Sequence, residues 1–233
     1  MMALEPVTYH DGDTALNGLL ARPAGKPRAA VVVFPTIMNP TPFVEAKAAA
    51  LAEAGYLALV ADFYGAEVPD FQTSMQLAEA LRSHVDAYRA RLLAAVSALQ
   101  ALPEAAGLPL LAIGFCMGGQ AVLELARVNA PVLAVSSFHG LLETARKAEQ
   151  PIKPRILVCH GDADVLVPRN HVIAFWEEMD AAKATWHFHS YSDVPHGFTN
   201  PNPSPANGAI SYNASADRQS WAAMLGLFDE VLG

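Results

Sequence analysis

Gly114-Phe115-Cys116-Met117-Gly118-Gly119 is the stretch of this chain best suited to covalent chemistry. It follows an apolar run, Leu110–Ile113, and precedes a helical pattern that begins near Gly118. The spacing Gly-x-Cys-x-Gly matches a nucleophile elbow, with a thiol where the commoner form has a hydroxyl. A sharp strand-to-helix turn strains the φ of its central residue and projects that side chain from the sheet edge. Crowding in such a turn calls for glycine two residues before and two after. The nucleophile then lies at a helix N-terminus, where unpaired N–H groups and the dipole favour a thiolate. A structural thiol beside a glycine-rich turn is the competing reading. The position of the motif between strand and helix favours the elbow.

A thiol of this kind needs a base, and the base needs an orienting acid. On an elbow scaffold the chain order is nucleophile, acid, histidine, with the last two after late strands. The run Arg155–His160 leads into Gly161-Asp162-Ala163-Asp164-Val165-Leu166-Val167-Pro168. Asp162 comes directly off the strand end and suits a turn. Asp164 lies deeper, before the stiff Val167-Pro168, and is the better acid. The next strand candidate, Trp186–Tyr191, leads into Ser192-Asp193-Val194-Pro195-His196-Gly197-Phe198. The histidines are His10, His84, His139, His160, His171, His187, His189 and His196. His196 alone combines the required chain order with a loop before the final helix, and it is the expected base.

The elements that must position these residues follow from the apolar pattern. Val7–His10 and Ala15–Arg22 flank Asp11-Gly12-Asp13 and read as a hairpin. Ala29–Phe34, Leu57–Ala61, Leu110–Gly114, Val132–Phe138 and Arg155–His160 are short, uniformly apolar runs, as in strands buried on both faces of a parallel sheet. Trp186–Tyr191 is more polar and suits a place nearer an edge. Helical patterns cover Pro42–Ala54, Ser74–Ala101, Gly118–Val128, Asn170–Ala181 and Asn213–Leu232. In the second of these, Leu81, Val85, Tyr88, Leu92, Val96 and Leu99 form one apolar face, with Arg82, Asp86 and Arg89 off it. Alternating strands and helices imply an α/β fold: a mostly parallel central sheet with helices on both faces. Residues 199–212 are the longest turn-rich stretch, and too little chain follows them to fold alone. The expectation is one domain over residues 1–233.

Composition narrows the partners. Fifty-two per cent of the 233 residues are apolar and 16% are charged, which excludes a disordered chain. Fifteen Lys and Arg stand against 23 Asp and Glu, for a net charge of −8, and no basic cluster occurs. Nucleic-acid binding is therefore not expected. Cys116 and Cys159 cannot build a disulfide framework, so a reducing compartment is the default. The start, Met1-Met2-Ala3-Leu4-Glu5, lacks a basic region and a signal-length apolar run. No stretch is apolar enough to span a membrane. The expectation is a cytoplasmic protein, monomer or homodimer, without a membrane partner.

Three motifs in this order carry a resemblance. Gly114-Phe115-Cys116-Met117-Gly118-Gly119, then Gly161-x-x-Asp164-x-x-Val167-Pro168, then His196-Gly197-Phe198 resemble the dienelactone hydrolase family of the α/β-hydrolase fold. The likeness extends to Gly55-Tyr56, to Asp62-Phe63-Tyr64-Gly65 and to the C-terminal helix with Tyr212, Asn213, Asp217, Arg218 and Trp221. It implies a Cys116–His196–Asp164 triad that cleaves an ester or lactone, as in carboxymethylenebutenolidases. It also implies an oxyanion hole made by the backbone N–H groups of Met117 and Ile37, and no metal or organic cofactor. Thr36, Tyr64, Phe198 and Asn200 fall where the substrate would lie. Thr36 stands where family members acting on dienelactone carry a glutamate beside the resting thiol. Asn200 stands where they carry an arginine for the substrate carboxylate. Arg82 is another cation that could serve. The differences point to a small neutral ester, lactone or thioester as substrate.

Two readings from other classes stand beside this one. A thiol sensor or ligand-binding protein would use Cys116 without turnover, but sensing needs no general base. Metal binding through His187, His189 and Cys159-His160 would put two imidazoles on one strand face. No matched cysteine or carboxylate set completes such a site.

Overall fold

A computed structural model describes residues 4–203 and 209–233. The reading of the N-terminus over Met1-Met2-Ala3 and the middle of the turn-rich stretch, residues 204–208, lie outside the described residues. The chain divides into two compact units, Met1–Ala112 and Ile113–Gly233.

In the first unit, β1 (Glu5–Asp11) and β2 (Thr14–Ala21) form the expected antiparallel hairpin. β2 also pairs antiparallel with β4 (Leu57–Val60), which pairs parallel with β3 (Ala30–Phe34). Every residue of β3 and β4 is buried. That is why these strands are apolar throughout and show no alternation. α1 (Pro42–Glu53) starts with proline in its first turn and packs on β2 and β4.

The single helix expected over Ser74–Ala101 is instead two, α2 (Phe71–Arg82) and α3 (Val85–Gln100). His84 takes an extended backbone, φ −120 and ψ 90. The Ser83 hydroxyl donates to the Ala80 carbonyl at 2.8 Å, the kind of local bond that competes with helix continuation. Apolar spacing of three and four runs across such a break without registering it. α3 buries Tyr88, Leu92, Val96 and Leu99 as its pattern requires. It also buries Arg89, expected off that face; a long aliphatic stem lets arginine line an apolar surface.

β5 (Leu110–Phe115) leads from the first unit into the second. There α4 (Met117–Arg127), β6 (Ala134–Phe138), β7 (Arg155–Gly161), α5 (Arg169–Ala181), β8 (Trp186–Tyr191) and α6 (Ala214–Leu232) follow. β6, β7 and β8 are parallel, with Phe138 opposite Cys159 and Gly161 opposite Tyr191. α6 packs on β6 and β7, and α4 on β6. The strand order is β1-β2-β4-β3-β5-β6-β7-β8. This mostly parallel sheet with its helices is the α/β-hydrolase arrangement. β8 ends the order, and its exposed His187 and His189 alternate with half-buried Trp186 and Phe188.

α4 is anchored by a buried ion pair. Arg127 donates to both carboxylate oxygens of Glu178 on α5, at 2.8 and 2.9 Å, to Glu124 at 2.9 Å and to the Leu142 carbonyl at 2.8 Å. Removing one partner of such a pair strands a buried charge and costs about 3–5 kcal/mol. The helix behind the candidate nucleophile is thereby tied to its neighbour.

Candidate active site

Cys116 is the residue between β5 and α4, with φ 56 and ψ −114. A side chain in that region costs on the order of 1–3 kcal/mol and persists only where its surroundings enforce it. The Cys116 N–H donates to the Phe138 carbonyl at 3.0 Å and to His139 Nδ1 at 3.2 Å. Its carbonyl accepts from the Gln120 N–H at 3.2 Å. A Cβ at Gly114 would stand 1.9 Å from the Gly118 carbonyl oxygen, so no side chain fits there. This is the physical cause of the glycine at 114. Cys116 is half-buried, whereas Cys159 is fully buried in β7. Burial pushes the Cys159 thiol up to about 12, which makes it a core thiol.

His196 lies in the loop after β8 and is 3% exposed. Its Nδ1–H donates to Asp164 Oδ2 at 2.7 Å. Asp164, after β7, is buried as well, and its Oδ1 accepts from the Leu166 N–H at 2.9 Å. The two loops come together because β7 ends in glycine. A Cβ at Gly161 would meet the Val194 carbonyl oxygen at 2.2 Å. Burial by itself depresses the pKa of His196. The Cys116 charge, then the hydrogen bond to Asp164, reverse this and push it up to about 10. Nε2 is buried without a hydrogen bond of normal geometry, so its coupling to Cys116 is chiefly one of charge.

Asp162 is engaged elsewhere. Its carboxylate takes a two-pronged contact from Arg169, at 3.1 and 2.6 Å. That contact holds its pKa below the ordinary value. Of the two carboxylates weighed in the sequence, Asp164 is the one that reaches His196.

The remaining candidates take varied places. Met117 is the first residue of α4 and is buried. Phe198 is buried under the His196 loop, edge-on to His139 at 5.2 Å and to Tyr191 at 5.5 Å. Asn200 uses its side-chain carbonyl in its own turn, accepting from the Asn202 N–H at 2.9 Å. In the first unit, the Thr36 hydroxyl accepts from the Met38 N–H at 3.2 Å. The Tyr64 hydroxyl donates to the Ile37 carbonyl at 3.0 Å. Thr36 and Tyr64 thus shape the turn that carries Ile37. That turn is held further by Asn39, whose side chain donates to Asp62 at 2.7 Å and accepts from the Phe63 N–H at 2.9 Å.

His139 was not singled out in the sequence. It follows β6 as Cys116 follows β5, directly before a glycine, and that shared strand-end position is the signal that could have found it.

Residues 16–232 match the model of the dienelactone hydrolase family. The structure of P91, a dienelactone hydrolase-like promiscuous phosphotriesterase from metagenomic libraries, is similar at 36% identity over 99% of each chain, with a TM-score of 0.92. A Bradyrhizobium protein named as a probable 2-oxo-3-(5-oxofuran-2-ylidene)propanoate lactonase is 29% identical over 84% of this chain and 86% of its own. An uncharacterized protein of Caenorhabditis elegans is 37% identical over 60% of this chain and 92% of its own. This chain belongs to the dienelactone hydrolase family and is a hydrolase of the α/β-hydrolase fold.

Proposed function

We propose that the chain hydrolyses small neutral carboxylic esters or lactones through Cys116, His196 and Asp164. The observation that carries this reading is His196. It is buried, held by Asp164 at 2.7 Å and raised in pKa by the Cys116 charge. Such a pairing keeps a thiolate beside an imidazolium, the form a cysteine nucleophile needs.

The Cys116 sulfur attacks the carbonyl carbon, and the carbonyl electrons move onto oxygen. The N–H group of Met117 stabilises that oxyanion. The oxyanion collapses, the alkoxide leaves with the proton from His196 Nε2, and an acyl-thioester remains. His196 then takes a proton from water as the hydroxide adds to the thioester. A second collapse releases the acid and the thiolate. Asp164 keeps the ring in one tautomer throughout. No cofactor enters these steps. Two free cysteines suit a reducing compartment, which fits a cytoplasmic setting.

The purified protein is to be assayed on p-nitrophenyl esters, an acyl-thioester and dienelactone, with Cys116→Ala alongside. Turnover of neutral substrates that vanishes in the variant supports the reading. Full turnover without the thiol overturns it.

The likeness to P91 favours a second reading, a phosphotriesterase side activity. The same thiol suits attack on phosphorus, with an aryloxide leaving and water cleaving the resulting phosphoryl-thiol. Release of p-nitrophenol from a phosphotriester, lost in Cys116→Ala, is the check.

A further inference from the structure

The triad leaves two buried histidines of the second unit without a task, His139 and His160, and His139 is the one beside Cys116. His139 is 1% exposed and has φ 41, a left-handed value that side chains seldom adopt. Cys116, at the end of the neighbouring strand, has φ 56. The two strained residues are joined, because His139 Nδ1 accepts the Cys116 N–H at 3.2 Å. On its other side His139 Nε2 meets Thr199 Oγ1 at 2.8 Å. Thr199 is fully buried in the loop that carries His196.

An imidazole that accepts at Nδ1 carries its proton on Nε2, so the two contacts fit one neutral tautomer. The same ring packs edge-on against His196, with centroids 5.1 Å apart and planes at 66°. One side chain therefore touches the nucleophile's backbone, the ring of the base and the loop that holds the base. Attraction between Cys116 and His196 falls with their separation, so whatever sets that separation sets their coupling.

We propose that His139 is a positioning residue that fixes the separation of Cys116 and His196 by bridging the Cys116 N–H and Thr199. The inference rests on the triad and extends it.

Three variants separate positioning from bulk structure. His139→Phe keeps a ring but loses both nitrogens. Thr199→Val removes one hydroxyl at constant shape. His139→Asn keeps an acceptor in place of Nδ1 and tolerates positive φ. Each is read by kcat and KM on a p-nitrophenyl ester, and by the pH profile of Cys116 alkylation with iodoacetamide. His139→Phe should lower kcat by about 10²-fold at unchanged KM, the size of a roughly 1 Å misplacement. It should also move the alkylation midpoint to higher pH. Thr199→Val should shift both in the same direction by less, and His139→Asn should recover most of the lost kcat.

Unchanged kcat and alkylation profile in His139→Phe and Thr199→Val overturn the proposal. So does a loss of kcat that follows melting temperature while the profile stays in place. If His139→Phe does not fold, Thr199→Val decides, and a wild-type profile there counts against it. Alkylation needs no substrate. A shifted profile in a protein that cleaves no ester would sink the proposed ester hydrolysis and leave the role of His139 standing.

Discussion

Asp164 gives one carboxylate oxygen to His196 Nδ1 at 2.7 Å and keeps the other on the Leu166 N–H at 2.9 Å. With both oxygens engaged, the carboxylate holds the imidazole in place, and in the proposed mechanism that ring serves Cys116 through Nε2. Asp164→Asn should keep the fold but lower kcat by about 10⁴-fold, because an amide favours the wrong ring tautomer. Asp162→Asn breaks only an exposed pair with Arg169 and should leave turnover unchanged. Steady-state kinetics of both variants check the ranking, and the reverse order would reassign the acid.

Cys116→Ala should abolish hydrolysis while the protein stays folded, since the change removes one sulfur at a half-buried turn. The backbone bonds that hold the turn, from Cys116 to Phe138 and Gln120, do not involve the side chain. Circular dichroism and a thermal melt establish the fold, and an ester assay reads the activity. Cys116→Ser should retain weak activity because the same geometry serves a hydroxyl.

The charge on His196 should persist well above neutrality. Its folded pKa, about 10, lies above the ordinary value of 6.5. The charged ring therefore contributes stability that is full below about pH 6.5 and is lost as pH rises through about 10. Cys116→Ala removes the first of the influences that raise this pKa, so the ring should titrate at lower pH. Ring nitrogen shifts followed by NMR give both midpoints. Equal midpoints would show that the thiol does not couple to the base.

Neutral short-chain esters or lactones should be better substrates than dienelactone, judged by kcat/KM. A cation at position 200 would add a charge-assisted bond to a substrate carboxylate, worth roughly 1.5–3 kcal/mol. That is about 10- to 150-fold in affinity. Asn200 supplies no charge, and its side-chain carbonyl is used within its own turn. Asn200→Arg should improve the carboxylated substrate selectively. A wild-type protein that prefers dienelactone, with marked salt sensitivity, would require another cation, and Arg82 is the first to replace.

Much of this molecule is legible along the chain. Glycine at 114, two residues before Cys116, announces a turn too tight for a side chain, and the backbone of Gly118 and Gly119 fills that space. The uniformly apolar β3, β4 and β5 reveal burial on both faces, and the polar β8 reveals an edge. Local pattern carries these features because each depends on one residue's burial or on a few consecutive dihedrals.

Other features arise only when distant segments meet. The break at Ser83-His84 escapes the apolar spacing because a side-chain bond to Ala80, not hydrophobicity, accompanies it. Nothing near Asp162 or Asp164 in the sequence says which will be drawn away by Arg169 and which will meet His196. His139 looks like any buried histidine until β6 places it beside Cys116 and the loop after β8 brings Thr199 to its far side. Apolar pattern determined the sheet and most of its helices, and glycine spacing marked the turn at Cys116. Which polar side chains share a hydrogen bond was decided by the tertiary structure, because such bonds depend on separations of a few ångströms between residues far apart in the chain.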